Sequence, residues 1–162
     1  MTEMIMPNDT NPSNNLMGGN LLRWMDIAGG ICAGKHCNAL VVTASVDYVS
    51  FKKPVNLGDV ITIKTCVTRA FRTSVEVFVE VFAADIKGYN NRKCNDAYFT
   101  FVAVEKQADE QLKPIQVPCV IPLTGEEQNR YDSAVRRREI RLILSGRLKP
   151  EEAEHVKALF GG

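Results

Sequence analysis

Asp26 is the residue of this sequence best placed to do chemistry. It is the single carboxylate within residues 18–33, a run of apolar residues and glycines that indicates a helix hydrophobic on nearly every side. Such a helix is normally buried, and a buried carboxylate without a partner is costly or has a raised pKa. Asp26 therefore serves a reaction, where a carboxylate can accept a proton, or it hydrogen-bonds a neighbouring strand and fixes the helix.

Gly18 and Gly19 begin this helix and offer a second chemical component, which is a set of backbone donors. The first N–H groups of a helix have no partner within it, and the helix dipole favours negative charge there. A developing oxyanion would be stabilised at this position. Asn11, seven residues before Gly18, could direct its amide to the same place, although asparagine in such a loop is more often a turn former.

The carboxylate of Asp26 and the donors at Gly18 are far apart along the predicted helix. Asp26 lies eight positions after Gly18, which is about 12 Å along a helix axis at 1.5 Å per residue. It is too distant to act on an atom held at its own helix start. A two-fold axis could bring Asp26 of one subunit beside Gly18 and Asn11 of another, so the sequence suggests a composite site in a homodimer with two sites per pair.

The elements that position these residues follow a loop, helix and antiparallel meander order, which is an α+β class. The helix is predicted from Gly18 to His36, ending with the cations Lys35 and His36. Long β-branched runs follow, and their length implies a sheet that curls around the helix. The predicted strands cover 40–51, 60–71, 75–84 and 94–104.

Three segments organise the chain. We predict a domain over residues 1–108, a proline-punctuated irregular linker over 109–122 and a C-terminal helical extension over 123–162. The extension contains a helix from Glu126 to Ser145 and a second helix that starts at Pro150. Its basic triplet, Arg136 to Arg138, is interpreted as a solvated helix face.

Composition excludes several classes of partner and site. Twenty basic residues against nineteen acidic ones leave a formal charge of +1, which gives no electrostatic footprint for nucleic acid or an anionic membrane. Five scattered cysteines and two histidines argue against a disulfide framework or a metal site. Without a signal peptide or a run of about 20 apolar residues, we expect a cytoplasmic protein with no membrane partner.

Two motifs resemble those of a known family. The first is Asn11-Pro12-x-x-Asn15-Leu16-Met17-Gly18-Gly19-x-Leu21-Leu22-x-Trp24-Met25-Asp26. The second runs from Val42-Thr43-Ala44-Ser45-Val46-Asp47 through Phe51 and Pro54 to Gly58-Asp59. Together they closely resemble the hotdog-fold acyl-CoA thioesterases of the cytosolic acyl-CoA hydrolase type. The similarity covers about residues 7–104, so the predicted domain 1–108 would be the hotdog domain.

The resemblance implies hydrolysis of acyl-CoA to a carboxylic acid and CoA, with no cofactor beyond the substrate's own CoA. It implies that Asp26 is the catalytic carboxylate, acting as general base on water or as nucleophile on the thioester. Asn11 would hold the water or the carbonyl, and Gly18, with Gly19, would supply the oxyanion donor. Two subunits would form one continuous sheet, and family members commonly assemble as trimers of such dimers.

Coenzyme A carries phosphates that need cations. By resemblance, the turn Arg72-Thr73-Ser74 is the best candidate, with Lys53 and Arg92 behind it. The family pattern has a glycine where this chain has Asn14, and asparagine tolerates a positive φ better than most residues.

Two alternatives to hydrolysis are weighed. One is a non-catalytic acyl-CoA-binding or regulatory module whose C-terminal helices contact a partner. The other is a hotdog dehydratase, which the position of His36 at the far end of the helix disfavours.

Overall fold

Helix α1, Gly18–Cys37, begins at the predicted glycine and ends where Asn38 adopts a left-handed conformation with φ 48°. The computed structural model describes residues 1–158. One stripe of α1 is buried and consists of Leu21, Met25, Ala28, Gly29, Ala33 and Cys37. The prediction of a helix buried on nearly every side is wrong for the single chain, because Ile27 and Ile31 on another face are 40% and 53% exposed.

An antiparallel sheet packs against α1, and the predicted α+β class is confirmed. The strand order is β1-β3-β4-β5-β2, and β6 pairs with β5. Four strands match the predicted runs, whereas β1 and β6 were not predicted. The strands are β1 (Thr2–Met4), β2 (Leu40–Phe51), β3 (Val60–Ala70), β4 (Ser74–Ala84), β5 (Arg92–Lys106) and β6 (Leu112–Pro114).

The core lies between α1 and the alternate residues of the central strands. Val75, Val77, Val79 and Val81 of β4 are all fully buried. Phe101 of β5 packs so closely on α1 that a Cβ at Gly29 would come within 3.0 Å of its ring. Glycine at this position therefore allows the helix to approach the sheet.

Strand β2 forms one edge of the sheet and is largely exposed. Val42, Val46 and Tyr48 are 40–60% exposed, although they are large and apolar or aromatic. Two register shifts interrupt its pairing with β5, between Thr43 and Ser45 and between Asp47 and Ser50. Tyr48 lies in the second irregularity with φ 57°, a conformation that is rare for a bulky residue.

The chain divides into two compact units, Met1–Cys119 and a second that starts at Val120. The predicted linker over 109–122 therefore differs from the structure: it contains β6, and all but its last residues belong to the first unit. This strand forms because residues 112–114 pair with the end of β5.

The second unit contains α2, Gly125–Leu144, and the four-residue α3, Glu154–Lys157, which follows a 3-10 turn at Pro150. Thr124 and Glu127 cap the start of α2 reciprocally. Residues 159–162 of the predicted extension lie outside the described residues. Over residues 1–158, no helix combines the length and apolarity needed to cross a membrane.

Candidate active site

Asp26 lies on α1 beside strand β2, half-buried rather than sealed in the core. Its Oδ1 accepts a hydrogen bond of 2.7 Å from the Thr43 hydroxyl. Arg23, three residues earlier, is exposed and forms no ion pair with Asp26 in the described part of the chain. The hydrogen bond to a neighbouring strand, which the sequence left as one of two alternatives, is therefore present: one oxygen of Asp26 is held by a neutral donor from β2.

Thr43 is a site residue that sequence reasoning missed. It pairs directly with Phe101 on β5, and side chains of directly opposed residues lie on the same face of a sheet. Because Phe101 packs against Gly29 of α1, Thr43 also faces the helix. The signal was present as a hydroxyl within an apolar strand, but only the packing of β2 on α1 identifies its partner.

The start of α1 presents open donors. Within residues 1–158, the backbone N–H groups of Gly18, Gly19 and Asn20 have no hydrogen-bond acceptor. Met17 occupies the N-cap position and offers no capping side chain. Since uncapped N–H groups and the helix dipole favour negative charge, this end of α1 can receive an anion or an oxyanion.

The ring of Phe51 lies against Gly18. A Cβ at Gly18 would come within 3.1 Å of this ring, whereas one at Gly19 would meet nothing within 4 Å. A side chain at position 18 would therefore require the Phe51 ring or the helix start to shift. The two glycines, which the sequence treats alike, differ in their surroundings.

A pocket of about 360 Å³ opens beside Gly18. Leu16, Leu21, Phe51 and Val55 give it apolar walls, and Asn15, Gly18, Lys52, Lys53 and Pro54 complete its lining. The two lysines differ. The Lys52 ammonium lies 2.7 Å from Asp96, whereas the exposed Lys53 has no ion-pair partner in the described part of the chain.

Asn11 organises the loop that precedes α1. Its Oδ1 accepts hydrogen bonds from the backbone N–H groups of Ser13 (3.0 Å) and Asn15 (3.1 Å), so the side chain is a turn former. Its Nδ2 donates to no described residue and remains available. Asn14, which stands where the family pattern has a glycine, adopts a positive φ of 57°, a conformation that asparagine tolerates better than most residues.

The predicted CoA-binding residues are distributed over the sheet. Ser74 pairs with Val102, which pairs with Val42, so the turn Arg72-Thr73-Ser74 lies at the end of the sheet that carries Thr43. Arg72 is exposed and its side chain has no partner in residues 1–158.

Arg92 has internal partners instead. Its Nη2 lies 2.6 Å from Asp59 and donates to the Pro54 carbonyl at 3.2 Å. The guanidinium thereby ties both ends of the Pro54–Asp59 turn together. A role of Arg92 in CoA binding stays a prediction.

These residues form two separate groups within one chain. The carboxylate end contains Asp26, Thr43 and the turn of Arg72. The glycine end contains Gly18, Asn11 and the pocket with Lys53. The structure does not bring Asp26 and Gly18 together, because both lie on α1 and are separated by two turns of helix, about 12 Å.

Comparison with known proteins gives a consistent assignment. Residues 13–89 match the family model described as the thioesterase superfamily. A Bacillus subtilis protein described as the uncharacterized acyl-CoA thioester hydrolase YkhA is 36% identical over 136 residues, which is 84% of this chain and 77% of that protein.

Solved structures agree with the fold. An acyl-CoA thioesterase solved as an apo hexamer has a TM-score of 0.81 and 35% identity, covering 90% of both chains. The acyl-CoA hydrolase of Staphylococcus aureus, solved with butyryl coenzyme A and coenzyme A, has a TM-score of 0.79 and 36% identity, covering 90% of this chain and 88% of that one. The predicted hotdog fold is confirmed.

The Staphylococcus aureus hydrolase was also solved as three alanine variants, which replace an asparagine, an aspartate and a threonine. Those positions are separated by 15 and 17 residues in that protein. The same separations connect Asn11, Asp26 and Thr43 in this chain. Thr43, which sequence reasoning overlooked, therefore corresponds in spacing to the threonine that was replaced by alanine in the Staphylococcus aureus hydrolase.

Proposed function

This chain belongs to the hotdog-fold acyl-CoA thioesterases of the thioesterase superfamily, and we propose that it hydrolyses acyl-CoA to a carboxylic acid and CoA with Asp26 as the catalytic carboxylate. The observation that carries the assignment of Asp26 is its hydrogen bond with Thr43. One carboxylate oxygen is held by a neutral donor, so the other is oriented and can act on substrate.

Thioester hydrolysis needs two things that the described residues offer. As general base, Asp26 takes a proton from water while the water oxygen attacks the thioester carbon. As nucleophile, its carboxylate attacks that carbon itself, and water then hydrolyses the resulting anhydride. In either route the C–S bond breaks, and CoA leaves as a thiolate that takes up a proton.

The carbonyl oxygen becomes negatively charged in both routes. The open N–H groups of Gly18 and Gly19 are suited to receive it, and a donor of this kind contributes about 3–4 kcal/mol to transition-state stability. The unused Nδ2 of Asn11 is suited to hold the water or the carbonyl. These roles complete the site only when a glycine end meets a carboxylate end.

A homodimer through β2 would produce that meeting. The strand is an unpaired edge with exposed apolar side chains, and the exposed Ile27 and Ile31 of α1 supply further apolar surface for a second copy. A two-fold axis near Asp47 would place Thr43 of one copy opposite residue 51 of the other. Since Phe51 lies against Gly18, Asp26 of each copy would then approach the glycine end of its mate.

The coenzyme A portion would be held by cations at the joined ends. Within residues 1–158, the side chains of Lys53 at the pocket and Arg72 at the β3–β4 turn have no internal partner, and they are the best placed. Assembly of dimers into a trimer of dimers and a cytoplasmic location remain predictions.

Complementation between inactive variants tests the shared site. Asp26→Asn and Gly18→Val are each expected to abolish thiol release from acyl-CoA when expressed alone. When the two chains are co-expressed, mixed dimers contain one site with both defects and one intact site. Mixed protein should therefore regain up to about half of the wild-type activity per dimer.

Two results would contradict the proposal. Recovery of no activity in verified mixed dimers would show that each site is built from a single chain. Binding of acyl-CoA by the wild-type protein without any thiol release would favour the non-catalytic binding module. After a single turnover in isotopically labelled water, label in the Asp26 carboxylate would establish the nucleophile route, because the general-base route places label in the released acid alone.

A further inference from the structure

Asn95 carries a buried amide that nothing in the described chain satisfies. Its exposure is 0%, and neither Nδ2 nor Oδ1 has a hydrogen-bond partner among residues 1–158. An amide placed in an apolar environment without partners is costly, and such groups in native proteins call for a specific explanation. Asn95 lies on β5, outside every motif assigned above.

The side chain of Asn95 faces α1. Residues 95–102 of β5 pair with β4 without a register shift, so their side chains alternate between the two faces of the sheet. Asn95 therefore shares a face with Ala97, Phe99 and Phe101, and Phe101 packs against α1. Asn95 is the polar member of an otherwise apolar row.

The same row ends beneath the glycine end of the site. Asn95 is directly opposite Phe51, whose ring lies against Gly18. The backbone N–H groups of Lys52 and Lys53 donate to the carbonyl of Cys94, at 3.0 and 3.4 Å. The residue next to Asn95 thus anchors one wall of the 360 Å³ pocket. Phe51, which is directly opposite Asn95 in the sheet, lines that pocket.

We propose that Asn95 is a specificity-determining residue whose amide hydrogen-bonds a hydroxyl group on the acyl chain of the substrate. The proposal rests on the proposed thioesterase function. A thioester carbonyl held by Gly18 directs its acyl chain into the pocket, towards Phe51. A small movement of the Phe51 ring, which is 58% exposed, brings the chain to Asn95.

A hydroxyl is the group that fits this amide. It donates one hydrogen bond and accepts others, so one hydroxyl can satisfy both the oxygen and the nitrogen of Asn95. An apolar acyl chain would leave both atoms unpaired. A site built to hydrogen-bond a substrate hydroxyl discriminates strongly against the analogue that lacks it.

The test compares butyryl-CoA with 2-hydroxybutyryl-CoA and 3-hydroxybutyryl-CoA, with thiol release as the readout. For the wild-type protein, we expect kcat/KM to be at least about tenfold higher for one hydroxy ester than for butyryl-CoA. In Asn95→Leu, which has a similar volume without polar atoms, this ratio should fall towards one. Asn95→Thr keeps a hydroxyl and should retain part of the preference.

Thr100→Val is the matched control. Thr100 Oγ1 is also buried and has no partner among residues 1–158, but Thr100 lies on the opposite face of β5. Removal of this hydroxyl should leave the ratio of the two kcat/KM values unchanged. Thermal unfolding of all variants shows whether each protein is folded.

The outcomes are separable. Equal wild-type kcat/KM for all three esters, or an unchanged ratio in folded Asn95→Leu, overturns the role of Asn95 but leaves the thioesterase function intact. A change in the ratio in Thr100→Val as large as in Asn95→Leu also overturns it. If the wild-type protein releases thiol from no acyl-CoA, both proposals fail.

Discussion

The two ends of the proposed site differ in what carries the chemistry. At the carboxylate end, the chemistry is carried by side chains: the Asp26 carboxylate reacts, and the Thr43 hydroxyl orients it. At the glycine end, the chemistry is carried by the backbone. The donors are N–H groups that remain open because Met17 provides no capping side chain and Gly18 has no Cβ to cover them. Side-chain chemistry depends on which residue is present, whereas backbone chemistry depends on how closely a neighbour such as Phe51 approaches.

Asp26→Asn should have the largest effect. The amide is nearly isosteric and can still accept from Thr43, but it can neither accept a proton nor attack the thioester. We expect kcat to fall by at least about 10³-fold, with little change in thermal stability. Steady-state thiol release and thermal unfolding measure the two effects. Turnover at the wild-type rate would remove Asp26 from the mechanism.

Gly18→Ala should come next and tests the backbone end. The methyl group would lie within 3.1 Å of the Phe51 ring, so the ring or the helix start must shift. We expect kcat to fall by about 10²-fold, which is typical for the loss of one oxyanion donor. Gly19→Ala is the matched comparison, because its methyl meets nothing within 4 Å and should cost far less.

Phe51→Leu sharpens this prediction. In that background, Gly18→Ala should lose much less activity, because the smaller side chain leaves room for the methyl. Equal losses in both backgrounds would show that contact with Phe51 is not the reason for the glycine.

Thr43→Val should have a smaller effect at the carboxylate end. The substitution keeps the shape and removes the hydrogen bond to Asp26, so the carboxylate loses its orientation but not its chemistry. We expect kcat to fall by about tenfold, corresponding to one hydrogen bond to a charged group. Thr43→Ser should restore most of the activity. A loss in Thr43→Ser equal to that in Thr43→Val would argue that the methyl group, and not the hydroxyl, matters.

The cations should affect binding more than turnover. Arg72→Ala and Lys53→Ala are each expected to raise KM for acyl-CoA by about three- to tenfold with kcat nearly unchanged, because exposed charges contribute modestly. Lys113→Ala, an exposed residue on β6, serves as the control. If KM changes with only one of the two cations, CoA is held from a single end of the site.

Low pH should destabilise the protein by protonating Asp96, which pairs with Lys52 beside the glycine end. Burial opposes ionisation of Asp96, but hydrogen bonds from Lys52 and Lys93 outweigh it and hold its pKa below the ordinary value. The resulting stability is complete above the ordinary aspartate pKa of about 4 and is lost as the pH falls through the lower folded value. Thermal unfolding between pH 6 and pH 2 should therefore show a smaller acid-induced decrease in Tm for Asp96→Asn than for wild type.

Much of the fold was predictable, because the spacing of apolar residues along the sequence indicates where helices and strands form. The valines of β4 and the apolar run of α1 each indicated their element within one residue of its start. Strands β1 and β6 were not predictable, because a three-residue strand is formed by its partner and not by its own propensity.

The site was only half predictable for the same reason. Asp26 and Gly18 are unusual in their local sequence, so they could be found. Thr43, the Phe51 contact and the ion pair of Arg92 with Asp59 join residues that are distant along the chain, and only packing brings them together. Ile27 and Ile31 are exposed in the single chain, and only a second copy would cover them. The sequence of one chain does not specify that contact.

The open edge of β2 also bears on how the chain behaves just after synthesis. The outer edge of this twelve-residue strand has no partner strand in the described chain and carries exposed apolar side chains, so a lone protomer offers a template for non-native strand addition. Rapid pairing of two copies would remove it. A lysine introduced at Val46 should therefore yield a monomer that resists aggregation but is inactive.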